Sequence, residues 1–250
     1  MLISMITPTP SMSSQSPFIS KSTKSPLNTN SLLYHGDHQE NSPHHGKHTQ
    51  YWPLTSRVLY QGRLDTSDES SILEAARQLE GVPIDLLINN AGIWEPDTFE
   101  SATKEAFMRQ FEVNAVGPFL TTRALLPNLE LAAKKNGFAY VAQVTSLLGS
   151  IGSNTAEMAG FFSKAFGYAP SKAALNMVTR SMAVQLREKS IGFVTLHPGY
   201  VATDMNDHQG YMKSSASAES MAKIVAKLSI EDTGKFFNAD DQYPIYELPW

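Results

Sequence analysis

From about Val58 onward, apolar residues fall into two alternating patterns. Short runs of strand length occur at 58–60, 84–89, 138–144, 193–196 and 235–237. Between them, apolar residues recur every three to four positions. The stretch 68–79 puts Ile72, Ala75, Ala76 and Leu79 on one face. Ser101 or Thr103 caps a second helical stretch that carries Ala106, Phe107 and Phe111, and 115–125 extends as another. The longest, 169–187, is expected to turn Ala173, Met177, Met182 and Val184 inward, and 216–228 closes the series. Strands alternating with helices predict an α/β protein whose parallel sheet is covered on both faces. Ligands of such sheets bind at the carboxyl ends of the strands. Three polar turns stand at those ends: Asn89-Asn90-Ala91-Gly92, Thr145-Ser146 and His197-Pro198-Gly199. Their coincidence points to one shared site.

The first 50 residues have another texture. They are rich in Ser, Pro, Thr, Asn and His, and hold five of the seven histidines. This divides the chain into a low-complexity segment, 1–57, expected to be disordered or divergent, and a folded domain, 58–250. Residues 8–50 in particular are expected to lack fixed structure. The opening stretch to Thr7 is apolar but short, lacks a basic start and runs into Pro8 and Pro10, which makes a poor secretory signal. A transit peptide fits a little better, yet arginine is missing there and prolines interrupt any amphipathic helix. A cytoplasmic location is expected. His35, His38, His44, His45 and His48 invite a metal reading, but no carboxylate or cysteine cluster completes a fixed geometry, and a solvated polar tract is the plainer account.

Whole-chain composition narrows the field further. A hydrophobic content of 42% and a charged content of 18% suit a globular protein. The net charge of −4 offers no basic surface, which argues against nucleic acid. The chain has no cysteine, so disulfides, thiol catalysis and thiolate metal sites are excluded together. That composition is compatible with a reducing compartment. No apolar run approaches the roughly 18 residues that a membrane span needs.

Tyr168 and Lys172 stand four apart in a helical stretch and therefore share a face. A free phenol has a pKa of about 10 and is a poor acid–base group near neutrality. An adjacent ammonium favours phenolate and lowers that value. The same spacing also arises as an ordinary helix-surface pair. Ser146, at the end of a strand, is either a turn hydroxyl or a donor to an oxygen on which charge develops. Asn114 lies in a helical run, where asparagine is mildly unfavourable, so a polar task is indicated. Asn90, Ala91 and Gly92 read as a turn. Asp65 reads as a helix N-cap or as an acceptor for a ligand.

Taken in order, Asn89-Asn90-Ala91-Gly92, Asn114 within Phe-Glu-Val-Asn-Ala, Val144-Thr145-Ser146, Tyr168-Ala-Pro-Ser-Lys172 and the segment from His197 to Asp204 resemble the short-chain dehydrogenase/reductase family. The likeness runs from about Val58 to Trp250. The run from Ser146 to Asn154, the run from Ser171 to Met177, Gly234-Lys-Phe-Phe and the terminal Pro249-Trp250 resemble its carbonyl-reductase-like branch, of sniffer and C-factor type. The resemblance implies a Rossmann-like doubly wound fold, NADP or NAD as cofactor, and reduction of a carbonyl compound to an alcohol or the reverse. It implies that Tyr168 donates the proton and Ser146 holds the substrate oxygen. It implies that Lys172 lowers the tyrosine pKa and grips the cofactor ribose, while Asn114 distorts its helix and holds a relay water. Asn90, Ala91 and Gly92 would line the adenosine ribose, and Asp65 would accept from the adenine amino group. Thr203, with Val201 on the same loop, would meet the nicotinamide. The implied partner is a small-molecule carbonyl or alcohol. Family members often dimerise through the helices after Asn114 and Tyr168. Leu147, Leu148, Phe161, Phe162, Trp94 and Tyr200 suggest an apolar substrate pocket.

Two departures stand out. Ser146 and Tyr168 are 22 residues apart (146 to 168), longer than is usual in the family, and the extra segment is expected to form a flap. The family's opening Thr-Gly-x-x-x-Gly-x-Gly is absent; its remnant is Thr7-Pro8-Thr9-Pro10. Proline has no N–H to offer a phosphate and cannot take positive φ. Without the first strand, the strand at 84–89 is expected to become an open edge. The segments 1–6 and 31–34 are the candidates to replace the lost strands. Two readings follow: a carbonyl reductase with a divergent or wrongly translated N-terminus, or a non-catalytic binding or regulatory protein on the same scaffold.

Overall fold

The computed structural model describes residues 31–35, 57–58 and 64–250. In chain order the regular elements are β1 (Ser31–His35), β2 (Arg57–Val58), α1 (Glu69–Gln78), β3 (Leu86–Asn89), α2 (Lys104–Phe111), α3 (Gly117–Ala124), α4 (Leu126–Asn136), β4 (Ala139–Val144), the one-turn α5 (Ala159–Phe162), α6 (Tyr168–Gln185), β5 (Ile191–His197), α7 (Ser214–Val225) and β6 (Phe236–Asn238). They build one six-stranded sheet in the order β2-β1-β3-β4-β5-β6.

The four strands β3 to β6 are parallel, and alternation along them explains the two-sided cover. Leu87, Ala139, Val141, Ile191 and Phe193 point to one face, where Leu129, Ala132 and Ala133 of α4 and Met182 and Ala183 of α6 meet them. Leu86, Ile88, Tyr140, Ala142, Val144, Val194 and Leu196 point to the other, under Met221, Ile224 and Val225 of α7. Each strand is apolar on both faces, which is what a doubly covered parallel sheet requires. The α/β, doubly wound expectation holds.

Four particulars differ. The edge of β3 is not open: β1 pairs antiparallel along its whole length, from Ser31 opposite Asn89 to Tyr34 opposite Leu86, and β2 adds antiparallel to β1. The sheet is therefore mixed. Of the two candidate replacements, 31–34 forms this strand, while 1–6 lies outside the described residues. Unpaired backbone groups on a buried strand are costly, and any extended segment within reach satisfies them. The disorder expected for 8–50 does not hold at Ser31–His35; the rest of that stretch, the histidine tract included, is outside the described residues apart from His35 at the end of β1. The helix α4 has no counterpart in the sequence expectation; Leu129, Ala132 and Ala133 form its buried face and Gly137, with φ of 90°, ends it. Finally, Met177 and Val184 do not face inward but expose 67% and 68% of their surface. Leu175, Thr179, Met182 and Ala183 take the buried face of α6, which is rotated by about one residue from the expected stripe.

Candidate active site

The polar turns do gather at the carboxyl ends of β3, β4 and β5. Asn114 occupies a single π-helical turn, Glu112–Val116, between α2 and α3. Such a bulge re-aims one side chain out of the regular ladder. Here the fully buried Asn114 reaches the chain leaving β3: its Oδ1 accepts from Ile93 N–H at 2.8 Å, and its Nδ2 donates to Ile93 O at 2.9 Å and to Ser171 Oγ at 2.9 Å. Ser171 Oγ donates in turn to Tyr168 O at 2.7 Å. Ser171 carried no assigned role in the sequence, although it lies inside the tyrosine–lysine motif.

Tyr168 is the first residue of α6, and Lys172 follows one turn later. Lys172 Nζ lies 5.8 Å from the centre of the Tyr168 ring and donates to Val144 O, at the end of β4, at 3.0 Å. Ser146 starts two residues beyond that carbonyl. Its oxygen accepts from Leu148 N–H at 3.2 Å, capping the short 3-10 turn Leu147–Gly149. Its hydroxyl also lies beside the Tyr168 phenol and favours the ionised form. The turn role therefore leaves this side chain beside the phenol. Gly92 completes the cluster: a Cβ there would stand 3.2 Å from both Asn114 Oδ1 and Lys172 Nζ. The bare backbone at Gly92 is what lets the ammonium and the amide approach the β3 turn. Asn114, Gly92, Ser146, Tyr168 and Lys172 are thus drawn into one site.

Burial, and not the ammonium, sets the direction of the phenol. Tyr168 keeps some exposed surface, yet the surrounding protein pushes its phenol up to about 12, and the nearby Ser146 hydroxyl offsets only part of that. Lys172 is buried and loses hydration, which lowers its ammonium to about 8. The expectation that Lys172 lowers the tyrosine is not met in the protein alone: desolvation acts on both groups, and each is driven toward its neutral form.

The remaining expected residues sit close by with local partners. Asn90 follows β3 half-buried and Ala91 is buried. Asp65 is not the N-cap of α1; Asp68 is. Asp65 Oδ1 instead accepts from Ser67 N–H at 3.0 Å and Ser67 Oγ at 2.7 Å, a self-closed turn. Thr203 caps the 3-10 turn Asp204–Asn206, with its own N–H donating to Asn206 Oδ1 at 3.1 Å. Val201 is half-buried, and its carbonyl accepts from Asn206 Nδ2 at 2.9 Å. Of the expected pocket residues, Phe162 is buried, Trp94, Leu147 and Leu148 are half-buried, and Phe161 and Tyr200 are exposed.

His197 is the residue that sequence reasoning passed over, having taken it for part of a turn. It is buried at the end of β5, and its Nδ1 accepts from Leu147 N–H at 3.1 Å. That bond holds the residue after Ser146. Burial lowers its imidazole to about 4, Asp240 opposing the shift, so it stays neutral and keeps the acceptor this contact needs.

Over most of its length the chain is similar to known proteins. A family model described as short chain dehydrogenase matches residues 54–213. The C-signal protein of Myxococcus xanthus is 38% identical over 175 residues, which is 67% of this chain and 93% of that protein. The 1-hydroxy-2-glutathionyl-2-methyl-3-butene dehydrogenase of Rhodococcus is 36% identical over 183 residues, covering 71% and 76%. Among solved structures, NADPH-bound carbonyl reductase from chicken fatty liver matches with a TM-score of 0.67 and 33% identity, covering 75% of this chain and 76% of that one. Carbonyl reductase Sniffer of D. melanogaster matches with a TM-score of 0.68 and 28% identity, covering 76% and 77%.

Proposed function

The chain belongs to the short-chain dehydrogenase family, and on that premise we propose that it reduces a small carbonyl compound to an alcohol, with Tyr168 as proton donor. The cofactor of this family is NADP or NAD. The observation that carries the reading is the approach of Ser146, in the turn after β4, to Tyr168 and Lys172 on α6, a meeting of two segments that tertiary folding brings about. The carbonyl-reductase neighbours support the direction of the reaction.

The residues present fit the nicotinamide–ribose end of such a cofactor. An ammonium carries three donors, and Lys172 is seen to give one to Val144 O, so two suit a sugar diol. When bound, the cofactor supplies the hydride. The protein's part is the proton and the oxygen. A substrate carbonyl oxygen set against Ser146 Oγ and the Tyr168 hydroxyl receives two hydrogen bonds as negative charge develops on it. The raised phenol of Tyr168 holds its proton at neutral pH, which is the form needed for donation. The phenolate left behind is stabilised by Ser146 and by whatever charge Lys172 carries. Asn114 ties α6 to the β3 turn through Ser171 and Ile93, so the groups stay in register.

Asp65, Asn90, Ala91, Val201 and Thr203 are proposed for the cofactor on the family pattern alone. A homodimer is proposed through α6, where Met177 and Val184 leave apolar surface exposed one above the other. A cytoplasmic setting belongs to the same proposal, the cysteine-free composition being compatible with it. No helix among the described residues is long and apolar enough to cross a membrane.

One observation favours the non-catalytic reading: the sequence offers Thr7-Pro8-Thr9-Pro10 where the family has its glycine-rich phosphate loop. Losing two or three charge-assisted bonds at roughly 1.5–3 kcal/mol each predicts cofactor affinity weaker by on the order of 10²-fold or more. The test is calorimetric titration of NADPH and NADH, followed by oxidation of saturating cofactor with a panel of aldehydes and ketones. Turnover that vanishes in Tyr168→Phe supports the reductase. Cofactor binding with no turnover on any carbonyl, or full turnover in Tyr168→Phe, sinks it.

A further inference from the structure

Asp97 is a carboxylate that the reaction does not use. It lies in the chain leaving β3, only 6% exposed. Its Oδ2 accepts the backbone N–H of Gly167 at 2.8 Å, across 70 residues of sequence. Its own N–H donates to Lys164 O at 3.3 Å, and it forms an isolated parallel bridge with Ala165. Gly167 is the N-cap of α6 and has no side chain to cap with. A helix start leaves backbone donors unpaired and carries partial positive charge, so an anion there is favourable. The other oxygen, Oδ1, is buried with no donor among the described residues. The Gly167 bond and the helix terminus are therefore what offset the burial of this carboxyl group.

Gly167 cannot be exchanged for a residue that caps itself. A Cβ there would overlap the Gln110 side-chain amide and stand 3.0 Å from Asp97 Oδ2. Gln110 is fully buried; its Oε1 accepts from Glu95 N–H at 3.1 Å and its Nε2 donates to Ala106 O at 3.3 Å. The strip from Ile93 to Asp97 is thus held at three points: at Ile93 by Asn114, at Glu95 by Gln110, and at Asp97 by the start of α6.

We propose that Asp97 is a positioning residue for Tyr168: it caps α6 from another part of the chain and fixes the backbone next to the proton donor. The cap stands on its own contacts; its catalytic consequence rests on the reductase reading. The main test needs no turnover. In the full chain, amide hydrogen exchange followed residue by residue should show Gly167 N–H protected at least tenfold over a free amide. Asp97→Ala should raise exchange across 165–171 about tenfold or more, an opening cost of about 1.4 kcal/mol, while β4 and β5 exchange as before. Asp97→Asn keeps an acceptor oxygen and should restore most of that protection. An unprotected Gly167 amide in the unaltered protein overturns the proposal, as does Asp97→Ala exchange that is unchanged at 165–171 or raised uniformly. Where carbonyl reduction is measurable, Asp97→Ala should lower kcat about tenfold with the carbonyl KM little changed, and Asp97→Asn should recover it. A change in KM alone would place Asp97 in binding instead.

Discussion

Replacing Asn114 by alanine should cost more stability than a residue kept only for proton relay would. Its amide makes three buried hydrogen bonds, two to the N–H and C=O of Ile93 and one to Ser171 Oγ. Ser171 keeps its bond to Tyr168 O when the amide is gone. Ile93 does not recover: it is 7% exposed, and both of its backbone groups lose their partner. A buried group left unpaired costs about 1–3 kcal/mol. Two such groups give about 2–6 kcal/mol, and the better helix propensity of alanine returns up to about 0.7 kcal/mol. A net loss of about 1.3–5.3 kcal/mol is expected, which for a domain of this size lowers Tm by roughly 3–21 °C. Urea and thermal unfolding of the two proteins measure it. Asn114→Asp should do no better, since it keeps the acceptor, loses both donors and buries a charge. Glu112→Ala, an exposed neighbour in the same π turn, is the control and should stay within about 0.5 kcal/mol. A loss below about 1 kcal/mol in Asn114→Ala would show that these bonds do not hold the β3 turn, and the account of the bulge given above would fail.

His197 makes stability depend on acid. Its folded pKa is lowered to about 4 from 6.5, so below about pH 6.5 the unfolded chain takes up a proton that the folded one refuses; the contribution is full above that pH and lost as pH falls toward 4. At about 1.4 kcal/mol per pH unit the loss is about 3 kcal/mol. Urea unfolding at pH 7 and pH 4.5 should show a drop that shrinks in His197→Gln, and equal drops in both proteins would refute it. Gly117→Ala should destabilise, although alanine is the better helix former by about 1 kcal/mol. A Cβ there would overlap the Thr66 carbonyl oxygen, a backbone atom that cannot turn aside, and crowding of this kind costs about 1–3 kcal/mol. An unchanged or raised Tm would show that the loop at Thr66 yields.

The chain alone determined the features that local chemistry carries. Strands apolar on both faces, helices with one buried stripe, and polar turns at strand ends are written in residues a few positions apart, so the parallel core and a shared site at the strand ends could be expected before any coordinate, whereas the grouping of Asn114, Ser146, Tyr168 and Lys172 was implied by the family resemblance. Residues within a turn of each other left weaker traces. The rotation of α6 by one residue, which exposes Met177 and Val184, depends on where the sheet lies and not on the helix itself. The helix Leu126–Asn136 has a modest stripe that its neighbours on the sheet complete.

Tertiary structure decided whatever depends on groups far apart in sequence. Ser31–His35 became a strand because β3 had unpaired backbone to offer, and it pairs there antiparallel. The phenol of Tyr168 rises because of the protein packed around it, a desolvation that outweighs the lysine four residues on. Asp97 meets Gly167, and His197 meets Leu147, across 70 and 50 residues. A buried carboxylate or imidazole looks the same in a sequence as an exposed one. Only the fold supplies the N–H that gives each its task, because loss of water on burial makes every such partner obligatory.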